Sequence, residues 1–434
     1  MGATVHVIRI FAIASLLIFA SVIPASEMLH ESGHTDIIEL LMERAVSSNL
    51  IAGGVVVIGD HTGILYTMAR GRVDARAGAP LLGETTIFDV ASLTKVIATT
   101  PAVMKLVDEG RISLSDPLTR WFPQFKRFGR EEITILNLLT HTSGLGDFDL
   151  HRRQGIKTAI RKAAAEKHRE RPGRLFNYAD INFILLGEVV HRASGRSLDR
   201  YCREEIYRPL GAEQTMFAPP RNLNDPIAPT LGFSRGVVQD ANARRLGGVS
   251  GHAGLFTSAY DLSRFARFIL GGGVIDGRRI LSERAVNQMI SPRFYSNGAV
   301  VRGLGWDMES PFSAPKGSLF SDASFGHSGY SGSSIWIDPR RDLFVVLLTN
   351  RRNYRDTGEL NQLRSNVSTI AVARFRRPGG NEGPPGGTAQ ITTNLQQRPT
   401  KPLQAPPPGT RMAAVTPETP SLFHRHNGRH GGRQ

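Results

Sequence analysis

The sequence contains only one cysteine, Cys202, so the chain cannot form an intramolecular disulfide. Its histidines are scattered and no His-Glu-x-x-His motif occurs, so we predict neither a metal site nor another cofactor. A Gly-x-Ser-x-Gly motif is also missing, because Gly326-His-Ser-Gly-Tyr330 lacks the final glycine. This absence disfavours an α/β-hydrolase. Cys202 lies in an apolar helical pattern, where we expect a packing role.

Acidic residues are outnumbered, with 38 Asp and Glu against 53 Lys and Arg and a formal net charge of +15. Basic residues cluster in two segments, 152–174 and the Pro/Gly/Arg-rich segment 376–434. Neither segment shows a basic helix interleaved with aromatic residues, so we predict no nucleic-acid partner. Segment 376–434 lacks apolar periodicity and is predicted to be a disordered tail, whose charge suits contact with the cell envelope.

The N-terminal residues have the pattern of an export signal. Arg9 precedes the apolar run Ile10 to Ile23, and the small residues Pro24-Ala25-Ser26 follow it. Because this run is too short to span a membrane comfortably, we interpret residues 1–26 as a signal peptide and the protein as secreted or periplasmic. An uncleaved anchor helix is the alternative.

Strand patterns stand near both ends of the remaining chain. The β-rich runs 51–59 and 64–71 are separated by a turn, and a second hairpin is indicated at 333–348. The sequence therefore predicts an α+β fold in which N- and C-terminal segments form one antiparallel β-sheet flanked by helices. A mainly helical lobe at about 120–245 would be inserted into this single domain, which we place at residues 27–375.

One Ser-x-x-Lys pair lies at the start of a predicted helix, Ser92-Leu-Thr-Lys95. Side chains three residues apart share one helical face, so the lysine can reach the serine hydroxyl. A partly desolvated lysine beside a helix N-terminus is pushed toward its basic form and can activate a serine nucleophile. A second pair, Ser313 and Lys316, is interrupted by Pro315, and we expect it to lie in a loop without catalytic function.

Two further motifs follow in the chain. Tyr178-Ala-Asp180 leads into an apolar helix, and His327-Ser-Gly329 precedes a strand. Tyr295-Ser-Asn297 matches a Tyr-x-Asn pattern better than Tyr178-Ala-Asp180 does, but it follows Pro292 in a loop-like segment, so we favour Tyr178.

In this order the three motifs resemble those of the serine β-lactamase and penicillin-binding protein superfamily, especially class C β-lactamases, DD-peptidases and related esterases. There the motifs are Ser-x-x-Lys, Tyr-x-Asn and Lys-Thr-Gly or His-x-Gly. The resemblance covers roughly residues 35–375. It implies the β-lactamase/DD-peptidase fold and a serine hydrolase that forms an acyl-enzyme with an ester, a D-amino-acid peptide or a β-lactam. The substrate would then be a small molecule or derive from peptidoglycan; a non-catalytic envelope-binding protein of the same fold is the alternative.

The resemblance also implies a role for each motif residue. Ser92 would be the nucleophile, Lys95 and Tyr178 would exchange its proton, and the backbone N–H groups of Ser92 and Tyr330 would form an oxyanion hole. Asp180 replaces an amide, and because a carboxylate can hold Lys95 charged, the choice of Lys95 or Tyr178 as general base stays open.

The remaining implied substrate-binding residues, besides Asp180 and Tyr330, are His327 and Gly329. His327 stands where β-lactamases have a lysine, and a histidine is only partly charged near neutral pH. We therefore expect anionic β-lactams to be held less firmly than in those enzymes.

Two other histidines are candidates for function. His141 could be a catalytic base, but we favour a hydrogen bond to the Thr-Ser-Gly turn that follows it. His252 lies in the glycine-dense stretch 247–254, where it could be functional or could brace the loop.

Overall fold

The computed structural model of the protein describes residues 36–375 except 129, 167–170, 297–299 and 356. The predicted signal peptide at 1–26 and the predicted tail at 376–434 lie outside the described residues, and both stay predictions. None of the helices in the described part is both long and apolar enough to cross a membrane.

Fourteen strands are present among the described residues. In chain order they are β1 (Ile51–Gly59), β2 (Ile64–Gly71), β3 (Ile87–Asp89), β4 (Met216–Phe217), β5 (Ile227–Ala228), β6 (Leu255–Ser258), β7 (Val274–Ile275), β8 (Arg278–Arg279), β9 (Phe294–Ser296), β10 (Val300–Arg302), β11 (Asp307–Glu309), β12 (Phe325–Ser328), β13 (Ser334–Asp338) and β14 (Leu343–Arg351). Eight of them form an antiparallel sheet in the order β2-β1-β14-β13-β12-β11-β10-β9. The first and last strands of the chain thus pair directly, which confirms the predicted α+β architecture.

The α-helices of the described part are α1 (Ile37–Ser47), α2 (Thr100–Asp108), α3 (Ile135–Leu139), α4 (Ile156–Ala165), α5 (Asp180–Ser194), α6 (Leu198–Cys202), α7 (Arg208–Leu210), α8 (Ala241–Arg245), α9 (Ala259–Leu270), α10 (Glu283–Ile290) and α11 (Gly358–Phe375). Helices α1 and α11 cover one face of the sheet, and the opposite face packs on α9 and the main hydrophobic core. Strands β1 and β14 are buried along their whole length because both faces are covered.

Helix α1 shows how the sequence specifies this layering. Asp36 caps its N-terminus by accepting a hydrogen bond from the Ile38 backbone N–H at 2.9 Å. Ile38, Met42 and Ala45 recur at helical spacing, and all three are buried. A β-carbon on Gly54 of β1 would lie 2.6 Å from the Met42 methyl, so only glycine permits this close packing of helix on sheet.

Helix α5 belongs to the main core, with nine buried residues among its fifteen. Each fully buried aliphatic side chain of this kind contributes roughly 1.5–3 kcal/mol to folding. Its N-terminus follows Tyr178, so burial of the helix also holds the preceding tyrosine in place. Cys202 of α6 is buried in the same core, as the packing interpretation expects.

Candidate active site

The segment from Ser92 onward is helical, but it is not one regular α-helix. Ala91–Leu93 is a 3₁₀ turn, Lys95–Thr99 is a π-helical turn, and α2 begins at Thr100. Pro101 lacks an amide hydrogen, so the carbonyl of Ile97 has no i+4 donor. The buried Tyr207 hydroxyl donates to that carbonyl instead, at 3.3 Å. The predicted helix therefore restarts near the proline.

The backbone just before Ser92 is strained. Ala91 has φ +47°, a conformation that costs a non-glycine residue free energy and that often occurs at functional sites. The carboxylate of Asp89 stabilises the turn by accepting hydrogen bonds from the Ala91 N–H at 2.9 Å and the Gln239 N–H at 2.7 Å. Burial raises the pKa of Asp89 to about 6 even though both bonds favour the ionised form. These contacts hold Ser92 at the edge of the core.

Lys95 is fully buried and its ammonium group lies between three acceptors. The Nζ atom is 3.0 Å from Ser92 Oγ, 2.7 Å from Asp180 Oδ1 and 3.3 Å from the backbone carbonyl of His252. Burial opposes the charge, but Asp180 and the polar oxygen of Tyr178 more than compensate and raise the pKa of Lys95. The carboxylate at 180 thus keeps the lysine protonated.

Tyr178 lies against this group and hydrogen-bonds with Lys95 and Ser92. Its ring centroid is 4.9 Å from Lys95 Nζ. Burial raises the pKa of Tyr178 although the neighbouring ammonium lowers it, so the phenol is protonated at neutral pH. The structure therefore brings Ser92, Lys95, Tyr178 and Asp180 together.

The predicted hydrogen-bond partner of His141 was wrong. Its Nδ1 accepts a hydrogen bond from the Ala179 N–H at 3.2 Å, rather than bonding the turn that follows, and its ring stacks on Tyr178 with centroids 4.4 Å apart. Asn182 of α5 also contacts Nδ1, at 3.3 Å. Burial, with Arg302 and Lys95 nearby, holds the pKa of His141 well below its usual value. A neutral His141 positions Tyr178.

His252 forms a buried ion pair that the sequence alone did not indicate, because its partner Asp240 had no motif. Its Nε2 is 2.8 Å from Asp240 Oδ1, and its Nδ1 is 2.9 Å from the Ser250 hydroxyl. Burial disfavours the imidazolium, but the carboxylate of Asp240 outweighs this and raises the pKa of His252. The backbone carbonyl of the same residue contacts Lys95, so His252 both braces its loop and borders the site.

His327, Gly329 and Tyr330 lie opposite Lys95, where β12 ends. Strand β12 ends at Ser328, and Tyr330 lies in the turn before β13 rather than on a strand. The Ser331 hydroxyl donates to the carbonyl of Asp89 at 2.6 Å, which ties this turn to the Ser92 segment. A β-carbon on Gly329 would lie 2.4 Å from the Val90 carbonyl oxygen, so the close approach requires glycine.

The expected partial charge of His327 was also wrong. Burial, together with Lys95 and Arg302, holds the pKa of His327 well below its usual value, so the ring is neutral. Its Nδ1 lies 2.9 Å from the carbonyl oxygen of Ser328, which can only accept, so Nδ1 carries the hydrogen. The Nε2 atom is then an acceptor.

A cavity of about 280 Å³ adjoins this turn. It is lined by Tyr178, Phe312, His327 and Tyr330 and by three arginines, Arg302 of β10, Arg351 of β14 and Arg364 of α11. Arg302 pairs with Asp307 at 3.0 Å, and Asp307 is the one carboxylate among the described residues that line the cavity. Burial and the nearby Arg351 lower the pKa of Arg364 to about 9, so it still carries its charge at neutral pH. The cavity is positive and suits an anionic group.

The discarded motifs lie elsewhere. Ser313 donates to Asp307 at 3.0 Å and Lys316 pairs with Glu309 at 2.6 Å, so this second pair braces a loop and the two side chains do not bond each other. Tyr295 is exposed on the edge strand β9, and β10 and β11 separate it from β12. Asn297 lies outside the described residues.

Comparison with known proteins shows which family the chain belongs to. The family model described as Beta-lactamase matches residues 37–368. A provisionally named D-alanyl-D-alanine carboxypeptidase of Salmonella agona (strain SL483) is 30% identical over 313 residues, which are 63% of this chain and 71% of that protein. A protein of the same name from Escherichia coli (strain K12) is 29% identical over 357 residues, 71% of this chain and 81% of that one.

Solved structures share the fold at lower identity. EstCE1, a hydrolase with promiscuous acyltransferase activity, has a TM-score of 0.65 at 22% identity, covering 76% of this chain and 97% of that one. A penicillin-binding protein homologue from Caulobacter crescentus has a TM-score of 0.64 at 21% identity, covering 76% and 96%. The chain belongs to the Beta-lactamase family of serine hydrolases.

Proposed function

We propose that this protein is an exported hydrolase that forms an acyl-enzyme at Ser92 and acts on a substrate bearing a carboxylate near the scissile carbonyl, with a D-amino-acid peptide as the favoured class. The observation that carries the acyl-enzyme is the 3.0 Å contact between Ser92 Oγ and Lys95 Nζ, inside a group that also contains Tyr178 and Asp180. Export is supported by the leader-like composition of residues 1–26.

The proposed chemistry begins with attack of Ser92 Oγ on the carbonyl carbon. The hydroxyl proton leaves toward the Lys95 and Tyr178 group as the new bond forms, and the same group later protonates the leaving atom. The backbone N–H groups of Ser92 and Tyr330 are the proposed donors to the developing oxyanion, and the tie between Ser331 and Asp89 supports their proximity. Water then hydrolyses the acyl-serine in the reverse sequence.

The substrate class is inferred from the positive cavity next to Tyr330. Arg351 and Arg364 face this cavity together with the neutral His327. A carboxylate bound there would place the bond before it near Ser92, as cleavage of a terminal D-amino acid requires. The names of the carboxypeptidase relatives favour the same class.

Covalent labelling tests the proposal. Purified protein should be labelled at Ser92 by a fluorophosphonate and by a fluorescent penicillin, and peptide mapping should place the adduct on that residue. Ser92→Ala should abolish the label, whereas Ser313→Ala, the serine of the second Ser-x-x-Lys pair, should keep it. Initial rates on a peptide ending in D-Ala-D-Ala, a p-nitrophenyl ester and nitrocefin should rank the peptide first.

A non-catalytic envelope-binding protein is the competing function, and the basic composition of residues 376–434 motivates it. Failure of every covalent probe, combined with retention on purified cell wall that is lost when 376–434 are removed, would favour this alternative. Turnover with cleavage of the D-Ala-D-Ala bond would exclude it.

A further inference from the structure

We infer that Asp180 is the terminal proton acceptor when Ser92 is acylated, reached through Lys95, so that the lysine remains an ammonium ion throughout. The inference deepens the proposed function and rests on it, because it concerns the same serine. A Tyr-x-Asn motif has an amide at this position, and an amide oxygen cannot serve as a base.

The inference rests on the contacts that the Lys95 ammonium group makes. Its ammonium nitrogen donates to Ser92 Oγ at 3.0 Å and to the His252 carbonyl at 3.3 Å, and it forms an ion pair with Asp180 Oδ1 at 2.7 Å. A lysine in this state has no lone pair with which to take the serine proton. It can receive that proton only while it passes one of its own to a second group, and Asp180, whose Oδ1 is 2.7 Å from Nζ, is the carboxylate in contact with it.

The other carboxylates near Asp180 form hydrogen bonds with groups other than Lys95. Carboxylate oxygens of Asp180 and Asp240 and a ring nitrogen of His252 all lie within 4.8 Å of one another. Asp240 bonds the His252 ring at 2.8 Å and accepts from the Ala243 N–H at 2.6 Å. Asp147 accepts from the Ile181 N–H at 3.0 Å at the start of α5. Asp180 is therefore the carboxylate that pairs with Lys95.

The proposed step balances. The Ser92 Oγ–H bond breaks as Oγ bonds the carbonyl carbon, and the carbonyl π electrons move to the oxygen that becomes the oxyanion. The released proton adds to Lys95 Nζ while a different Nζ proton moves to Asp180 Oδ1. Net charge on the lysine is unchanged, and the carboxylate becomes a carboxylic acid. Collapse of the intermediate returns a proton along the same path to the leaving atom and regenerates the carboxylate.

The test is the acylation rate of Asp180→Asn, measured as the burst of p-nitrophenol from a neutral p-nitrophenyl ester. The amide preserves the size of the side chain and an oxygen beside Lys95 but cannot accept a proton. We expect the burst rate constant to fall about 100-fold or more, the range for loss of a general base, with the ester concentration at half-maximal burst rate nearly unchanged. Asp276→Asn, at a carboxylate that pairs with Arg264 at 2.6 Å outside the site, is the matched control and should stay within about threefold of the wild-type rate.

A pH profile separates a proton acceptor from a merely structural carboxylate. Five ionisable groups face Asp180, and all five are unchanged in Asp180→Asn. They are Lys95, Tyr178, Asp147, Asp240 and His252. The wild-type burst rate should fall on the acidic side as a carboxylate is protonated, and that limb should be missing from the profile of Asp180→Asn. Asp180→Glu, which restores a carboxylate, should acylate faster than Asp180→Asn.

The outcomes distinguish the two proposals. Equal burst rates in wild type and Asp180→Asn would overturn the relay and leave the acyl-enzyme standing. Absence of a burst and of any label at Ser92 in the wild type would overturn both. If circular dichroism shows that Asp180→Asn does not fold, the test rests on Asp180→Glu. A burst rate at least 100-fold below that of the wild type in folded Asp180→Glu would count against the relay.

Discussion

The site has two walls that differ in their charges. The inner wall is formed by Lys95, Tyr178, Asp180 and His252. The outer wall is formed by His327, Tyr330, Arg302, Arg351 and Arg364. The inner wall pairs its charges, Lys95 with Asp180 and His252 with Asp240, at 2.7 and 2.8 Å. The outer wall has three arginines and one carboxylate partner among the cavity-lining residues, Asp307. Both walls are largely buried, so solvent screens neither strongly.

This difference separates two tasks. Groups that are paired in a dry site can exchange a proton without changing the net charge of that site. An excess of positive over negative charge favours an anion that arrives from water, and it does so without proton exchange. His327 illustrates the contrast, since the same surroundings that attract an anion hold the pKa of its ring down and keep it neutral. The inner wall is thus suited to chemistry and the outer wall to recognition.

The largest effect is expected from Lys95→Met, which removes the centre of the inner wall. Ser92 would lose its proton path and Asp180 would lose its counter-ion, so the burst rate should fall about 1,000-fold, within the range for general acid–base groups. Lys105→Met, which removes a lysine of α2 that lies 3.6 Å from Glu109, is the matched control. If Lys95→Met retains a tenth of the wild-type burst rate, the assignment of the chemistry to the inner wall is wrong.

A smaller and more selective effect is expected from Arg351→Gln in the outer wall. Loss of one positive charge should raise KM for a D-Ala-D-Ala peptide about tenfold, equivalent to about 1.4 kcal/mol, and leave the neutral ester unaffected. The neighbouring Arg352, whose Nε donates to Asn49 at 3.0 Å outside the site, supplies the control Arg352→Gln. Equal changes for peptide and ester in Arg351→Gln would argue for a structural role.

The sequence was sufficient to predict the sheet and the motif residues of both walls, but not the arginines of the outer wall. Long buried strands at both ends of the chain predict the pairing of β1 with β14, whereas strands of two or three residues such as β10 show no periodicity. Ser92, Lys95 and Tyr178 lie in recognisable motifs. Arg351 and Arg364 do not differ locally from the other 51 Lys and Arg residues, and only the fold brings them together.

Asp240 was missed for the same reason. It lies at the end of a Pro- and Asn-rich segment, and its partner His252 is twelve residues further along the chain, too far for any helical or strand pattern. Asp180 was visible in the sequence as a departure from an amide, but its distance to Lys95 depends on how α5 packs against the Ser92 segment.

A stability change is expected from His252→Gln, because it breaks the second ion pair of the inner wall. The pKa of His252 is raised in the folded state, so its contribution is complete below the unfolded value near 6.5 and is lost as pH rises through the folded value. The variant should lose about 2 kcal/mol in the free energy of unfolding at pH 6 and less at pH 9. Urea denaturation at both values measures this, and Asp240→Asn should show the same trend. A loss that grows with pH would mean that His252 is neutral.

The smallest effect is expected from His327→Gln, although His327 belongs to the motif by which the outer wall was first predicted. Its ring is neutral, so replacement by an amide removes no positive charge and preserves a donor for the Ser328 carbonyl. KM for the D-Ala-D-Ala peptide should change by less than about threefold between pH 6 and 8, since less than 1 kcal/mol of neutral hydrogen bonding is altered. If the KM of His327→Gln is tenfold higher than that of the wild type only below pH 6.5, a histidine cation binds the substrate in the wild type. Recognition by the outer wall would then depend on pH, and its arginines would not account for it alone.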